Sequence, residues 1–134
     1  MTVRIVDEFL DSLVRTLDFP VYEDARGALM PLAWPDVPFV PAHAFIVRAR
    51  DGALRGGHGH RKAAQLLVRI GGKIVIEARN RGVKATIELA GSPNAILVRP
   101  PVWWTQTYHG ADAAALVLSN LPYDLDAYIK EPDA

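Results

Sequence analysis

The chain has 134 residues, a length that suits one domain and allows roughly two-thirds of the unfolded surface to be buried. Fifteen Lys and Arg balance fifteen Asp and Glu, and half the residues are hydrophobic, which argues against a disordered chain and against a nucleic-acid partner held by broad charge attraction. Cysteine is absent, which excludes disulfides, thiolate metal centres and a cysteine nucleophile. No apolar run approaches the roughly 20 residues of a membrane span, and nothing near Met1 resembles a cleavable signal, so no membrane partner is expected and the expected location is the cytoplasm.

In chain order, Val6, Phe9, Leu10, Leu13, Val14 and Leu17 recur at helical spacing, with Asp7, Glu8 and Asp11 opposite. This pattern predicts a short amphipathic N-terminal helix, acidic in its first turn and ended by Pro20. Beyond Pro20 the period becomes alternating. "VYEDARGALMPL" predicts two short strands around the turn Asp24-Ala25-Arg26-Gly27. "HAFIVRAR" and "QLLVRI" also read as strands, and Gly71-Gly72 predicts a two-residue hairpin into "KIVIEAR". "NRG" turns the chain into "KATIELA", and the strands "AILVRP", "WWTQTY" and "AALVLSN" follow. About eight or nine short strands joined by tight turns predict an all-β barrel or sandwich. The tail "YDLDAYIKEPDA" is expected to form a short helical turn and a frayed end. Residues 1–19 are thus expected as a helical extension and 20–134 as the barrel domain.

The chemistry concentrates in "RGGHGHRKAAQ", Arg55 to Gln65. In an extended strand, residues two apart share a face, so His58 and His60 present both imidazoles to one space. Small β-barrels of the cupin type bind metal with His-x-His, a carboxylate a few residues on, and a later histidine. Here Gln65 stands where the carboxylate belongs and Trp104 where the late histidine belongs. Two neutral imidazoles without an anionic ligand make a poor divalent site. An acid-base pair needs no carboxylate: an imidazole titrates near neutrality and can move a proton to or from a carbon beside a carbonyl. Arg55 and Arg61 flank the pair and suit a phosphate. The plain alternative is a solvated turn, against which stands the placement of the motif just before the most apolar strands of the chain.

Arg55-Gly56-x-His58-x-His60-Arg61, followed by Gln65-Leu66-Leu67, resembles the "RG-x-HAHK … Q-x-L" signature of the nucleotide-sugar 3,4-ketoisomerases. "DARGAL" from Asp24, Pro38-Phe39, Pro101-Val102-Trp103 and "LVLSNLPYDLDAYI" are similar to further segments of that family, in unbroken order over roughly residues 20 to 130. The resemblance implies a cupin fold, a double-stranded β-helix or jelly-roll barrel, assembled as a domain-swapped homodimer. It implies isomerisation of a dTDP-linked 4-keto-6-deoxy sugar for surface polysaccharides, without metal or other cofactor. It makes His58 and His60 the catalytic acid-base pair, and Arg55, Gln65 and Arg26 the residues that position the sugar nucleotide. His43 and Trp104 fall where the family has a basic residue and a late histidine, and join them as candidate substrate contacts. The family's "K-R-V-Y-Y" is here Ala42-His43-Ala44-Phe45-Ile46, without its tyrosines. Those losses define a second possibility, a non-catalytic cupin that binds a sugar nucleotide or another small ligand.

Trp34, Trp103 and Trp104 could stack on a thymine or a sugar, but large aromatics more often fill cores, the expected place of Trp103. Alternation along one strand requires Trp103 and Trp104 to face opposite ways. His109 is expected in an exposed turn, and Arg79-Asn80-Arg81 at a charged hairpin tip. "YDLDAY" is expected to close the barrel or the dimer and not to act in catalysis.

Overall fold

The computed structural model describes residues 2–123 and 128–132. Its regular elements are β1 (Arg4–Phe9), β2 (Val14–Asp18), β3 (Tyr22–Asp24), β4 (Gly27–Leu29), a single 3-10 turn (Trp34–Asp36), β5 (His43–Arg48), β6 (Leu54–His60), β7 (Gln65–Asn80), β8 (Val83–Leu89), β9 (Ala95–Val98), β10 (Trp103–Ser119) and β11 (Tyr128–Ile129). Nine of these strands form one sheet, ordered β1-β2-β9-β7-β10-β6-β11, with β5 beside β10 and β8 beside β7, and β3 and β4 form a separate hairpin.

Two long antiparallel strands organise everything else. β7 spans 16 residues and β10 spans 17, and their pairing runs from Trp103↔Arg79 to Ser119↔Gln65. Register shifts between His109 and Ala115 divide this ladder in two. On one side of the break β7 meets β9 and β10 meets β5; on the other β7 meets β8 and β10 meets β6. Gly71 and Gly72 sit at the break, where Cβ atoms would run into the carbonyls of Asp112 and His109. They do not close the expected hairpin. The chain continues through them as β7, because the close approach of β10 fixes this point as a break inside one strand. The β7–β8 hairpin lies where "NRG" was expected to turn the chain, at Asn80-Arg81-Gly82-Val83, where Arg81 and Gly82 both take positive φ, the twist that suits paired strands.

The predicted N-terminal helix is not formed. Residues 4–18 are an antiparallel hairpin, turned by Leu10, Asp11 and Ser12 at positive φ, and β2 adds to the sheet beside β9. The apolar spacing of this segment suits a helix, but Val14 and Leu17 find their burial on opposite faces of the sheet, and branched residues such as Ile5, Val6, Val14 and Thr16 favour strands. Tertiary pairing overrides the local pattern.

Alternating side chains of the sheet fill two cores. One holds Leu67, Ile74, Ile76, Ile96, Trp104 and Tyr108, all essentially buried. The other holds Leu17, Phe19, Leu66, Val68, Leu97 and Leu118, with Met30, Leu32 and Phe39 of the loop that follows β4 packed against it. Asn94 pins the chain just past β2, accepting a bond from the Phe19 N–H and donating to the Phe19 carbonyl, both at 2.9 Å. Where a helical turn was expected in the tail, Tyr128 and Ile129 extend the sheet beside His60 and Gly59; residues 124–127 and 133–134 of that expectation lie outside the described residues. Among the described residues, no helix is long and apolar enough to cross a membrane.

Candidate active site at the end of strand β6

β6 is an unusual strand, "LRGGHGH", with three glycines and two histidines in seven residues. Its pairing with β10 slips one residue at Gly57: Trp104 faces His58, while Thr105 faces Gly56. Gly56 and Gly57 both hold positive φ, so the glycine pair is a bulge that re-aims the strand just before the histidines. Past the bulge the strand is regular, and His58 and His60 share one face with ring centroids 5.4 Å apart. Between them, Gly59 lets the carbonyl of Val102 come within 2.5 Å of where a Cβ would stand. The sequence expectation that the two imidazoles occupy one space holds.

His60 is 8% exposed, and its Nε2 is buried without a hydrogen-bond partner. Burial, reinforced by the neighbouring His58 and more weakly by His43, pushes its pKa down to about 4, while the Gln65 side chain beside it acts in the opposite sense. Burial also lowers His58, partly offset by a backbone bond at Gly56. Both imidazoles therefore rest neutral at physiological pH, ready to accept a proton.

A cavity of about 390 Å³ opens beside the pair, walled by His43, His60, Lys62, Ser119, Tyr123 and Tyr128 among others. His43 stands at the start of β5, and its Nδ1 lies 2.7 Å from the Leu121 carbonyl. A carbonyl can only accept, so Nδ1 carries the proton and a neutral His43 keeps its lone pair on Nε2. Larger depressions of about 710 and 620 Å³ meet near Val21, Gly91 and Asn94, but no histidine lines either one. His43 and His60 lie at the smaller cavity.

The remaining candidates divide. Gln65, 5% exposed at the start of β7, reaches His60. Arg55 is exposed on β6, three residues before His58 and outside the cavity wall. Arg26 sits on the exposed β3–β4 turn with its guanidinium 2.6 Å from Asp24, and shares no wall with the histidines. Trp104 is 2% exposed and packs in the first core instead of lining the cavity, because it takes the inward position of the alternating β10. Trp103 is the outward one, reversing the expectation that it fills the core, and its indole N–H donates to the Lys130 carbonyl at 3.2 Å. His109 is half-buried at the register break of β10 and not in a free turn.

Lys62, Tyr123 and Tyr128 were not singled out by sequence as site residues. The Tyr128 ring stacks on His58 at 4.4 Å and meets His60 edge-on at 4.6 Å. Its signal lay in "YDLDAYI", inside the resemblance, but nothing local says that this segment pairs with β6. Among the described residues, no group of three or more His, Asp or Glu is arranged to hold a metal ion.

A jelly-roll barrel with paired histidines beside a cavity defines a cupin-type protein. The chain belongs to the family described as "FdtA: WxcM-like, C-terminal", whose model matches residues 12–134. It is 26% identical over 121 residues to the TDP-4-oxo-6-deoxy-alpha-D-glucose-3,4-oxoisomerase of Aneurinibacillus thermoaerophilus, covering 89% of this chain and 87% of that one. Among solved structures it resembles QdtA, a sugar 3,4-ketoisomerase from Thermoanaerobacterium thermosaccharolyticum in complex with TDP, at TM-score 0.79 and 27% identity over 88% of both chains. It also resembles the WlaRB TDP-quinovose 3,4-ketoisomerase of Campylobacter jejuni, at TM-score 0.78 and 25% identity, over 88% of this chain and 92% of that one.

Proposed function

We propose that the protein is a sugar 3,4-ketoisomerase that acts on a TDP-linked 4-keto-6-deoxy sugar in deoxysugar biosynthesis. The observation that carries this reading is the pair of neutral, half-buried to buried imidazoles on one face of β6 beside a cavity. The family and the named activities of its relatives support the same reaction.

The chemistry needs only a base and its conjugate acid. A neutral imidazole takes the proton from C3, whose acidity comes from the neighbouring C4 carbonyl; the C3–H electrons form the C3=C4 double bond and the carbonyl electrons move onto the C4 oxygen, giving an enediolate. The imidazolium proton is then added at the C4 carbon while the C3 hydroxyl proton passes to the C4 oxygen, leaving a ketone at C3 and a hydroxyl at C4 with no net change in composition or oxidation state. A depressed pKa keeps the base unprotonated at rest, and the imidazolium formed in the first step returns the proton in the second. His60 is the base in this reading, since it lines the cavity, with His58 as its partner. Gln65 holds His60, His43 offers a second imidazole to the sugar, and the exposed Arg55 suits the pyrophosphate. Arg26 would have to leave Asp24 to take part.

We further propose a cytoplasmic homodimer, for which the edge strand β5 supplies a surface: Phe45 and Ile46 are 41% and 66% exposed on it. Sedimentation at equilibrium tests this, and a monomer at micromolar concentration would reject it. For the reaction, TDP-4-keto-6-deoxyglucose in D₂O should gain deuterium at C3 or C4 and yield the 3-keto isomer. The same apolar pair, standing where the family resemblance has tyrosines, favours the second reading, a non-catalytic binder. Saturable TDP binding with neither exchange nor product would establish that reading and reject the first.

A further inference from the structure

The reaction as proposed uses His58 and His60 but leaves unexplained why an aromatic ring covers them. His58 lies between Gly57 and Gly59, so its own strand offers no flanking side chain to fix the imidazole. Rotation of an imidazole about its outer bond is broad, and orientation must be imposed from outside. The neighbouring strand does so. Tyr128, paired with His60 across β11, lies nearly parallel to His58, with an interplanar angle of 12° at 4.4 Å, and nearly perpendicular to His60, at 72° and 4.6 Å. The two imidazoles are themselves crossed at 78°. One phenol ring thus touches both members of the pair, and Tyr123 supports its edge from 6.0 Å.

We infer that Tyr128 is a positioning residue for the histidine pair: its ring, stacked on His58 and edge-on to His60, holds the two imidazoles in their crossed arrangement for proton transfer. The inference rests on the acid-base reading of the pair, and it assigns the work to the ring face and not to the phenol hydroxyl. A flat ring on an imidazole also excludes water from that face, which opposes charging of His58. The other titratable or charged groups around the pair, among the described residues, include His43 from β5, Arg61 and Lys62 beyond the end of β6, Tyr123, and Arg55 on the same strand; β10 brings the uncharged indoles of Trp103 and Trp104.

The test compares Tyr128→Phe with Tyr128→Leu by two readouts: turnover of TDP-4-keto-6-deoxyglucose, and NMR titration of the histidine rings, which needs no substrate. Tyr128→Phe keeps the ring and should retain most of kcat and the His58 titration midpoint. Tyr128→Leu should lose about 10²-fold in kcat, the scale of a misplacement near 1 Å, with KM within about threefold. In the same variant the His58 midpoint should move up toward the ordinary imidazole value. Unchanged thermal midpoints and β6 amide signals in both variants would separate positioning from unfolding, and if Leu disrupts the sheet, Tyr128→Trp, which restores a flat ring, decides in its place. The inference is overturned if Leu matches the wild type in both readouts, or if Phe is as impaired as Leu, which would make the hydroxyl the active part. Should the wild type itself show no turnover, the acid-base reading fails; the titration alone then decides whether the ring governs His58.

Discussion

β9 and β6 are both interior strands of the same sheet, and they are built on opposite principles. β9, "AILV", is buried at all four positions, with Ile96 and Val98 in one core and Ala95 and Leu97 in the other. β6 contributes almost no apolar packing past Leu54, and that leucine is 68% exposed. Its position is dictated by hydrogen bonds to β10 and β11 and by glycines that admit neighbouring backbone. A strand held by its own side chains can carry stability, whereas one held by its neighbours is free to carry a buried imidazole whose Nε2 has no partner, at the expense of the rest of the fold.

Substitutions should therefore separate the two strands cleanly. The largest effect is expected for His60→Asn, which should lower turnover roughly 10²–10⁴-fold, the usual worth of a general base, while TDP still raises the melting temperature. Turnover within a few-fold of wild type would end the distinction. Ile96→Ala in β9 should cost about 2–5 kcal/mol in denaturant unfolding, by lost burial plus a cavity, with kcat of the remaining folded enzyme little changed. The third test is pH. Below about pH 6.5 the unfolded chain protonates His60, whereas the folded protein resists until about pH 4, so stability should fall through that window as acid is added. The loss attributable to this residue is on the order of 3 kcal/mol and should be reduced in His60→Gln. Gly59→Ala should blur the contrast, costing about 1–3 kcal/mol through collision with the Val102 carbonyl and lowering activity by displacing both histidines. Arg26→Ala should be the mildest: its solvated ion pair with Asp24 is far more exposed than either strand, and the melting midpoint should not move measurably.

What the sequence conveyed, and what it did not, follows the same division. Alternation and turn residues were enough for an all-β fold, for the β3–β4 hairpin and for the Asn80–Val83 turn, because those signals are local. Residues 6–17 misled because apolar residues three and four apart satisfy a helix as well as a strand whose two faces are both covered. Gly71-Gly72 misled because a glycine pair marks either a hairpin or a close backbone approach, and only the position of β10 distinguishes them. At the site, His58 and His60 were legible from a spacing of two. Tyr128 was not, since it reaches them by pairing with a strand almost 70 residues earlier in the chain.

The long strand β10 bears on how the molecule comes to be folded at all. It pairs with β5, β6 and β7, so Ala114 finds Arg48 and Gly71, and Trp103 finds Gly59 and Arg79. Before β10 arrives, β5 and β6 have no central partner, and the β7–β8 hairpin is the nearest thing to a local nucleus. Sheets closed by such distant pairings fold in about milliseconds to seconds. Until closure, the apolar stretches of β7 and β9 stand as open edges, the interval in which this protein is most exposed to aggregation.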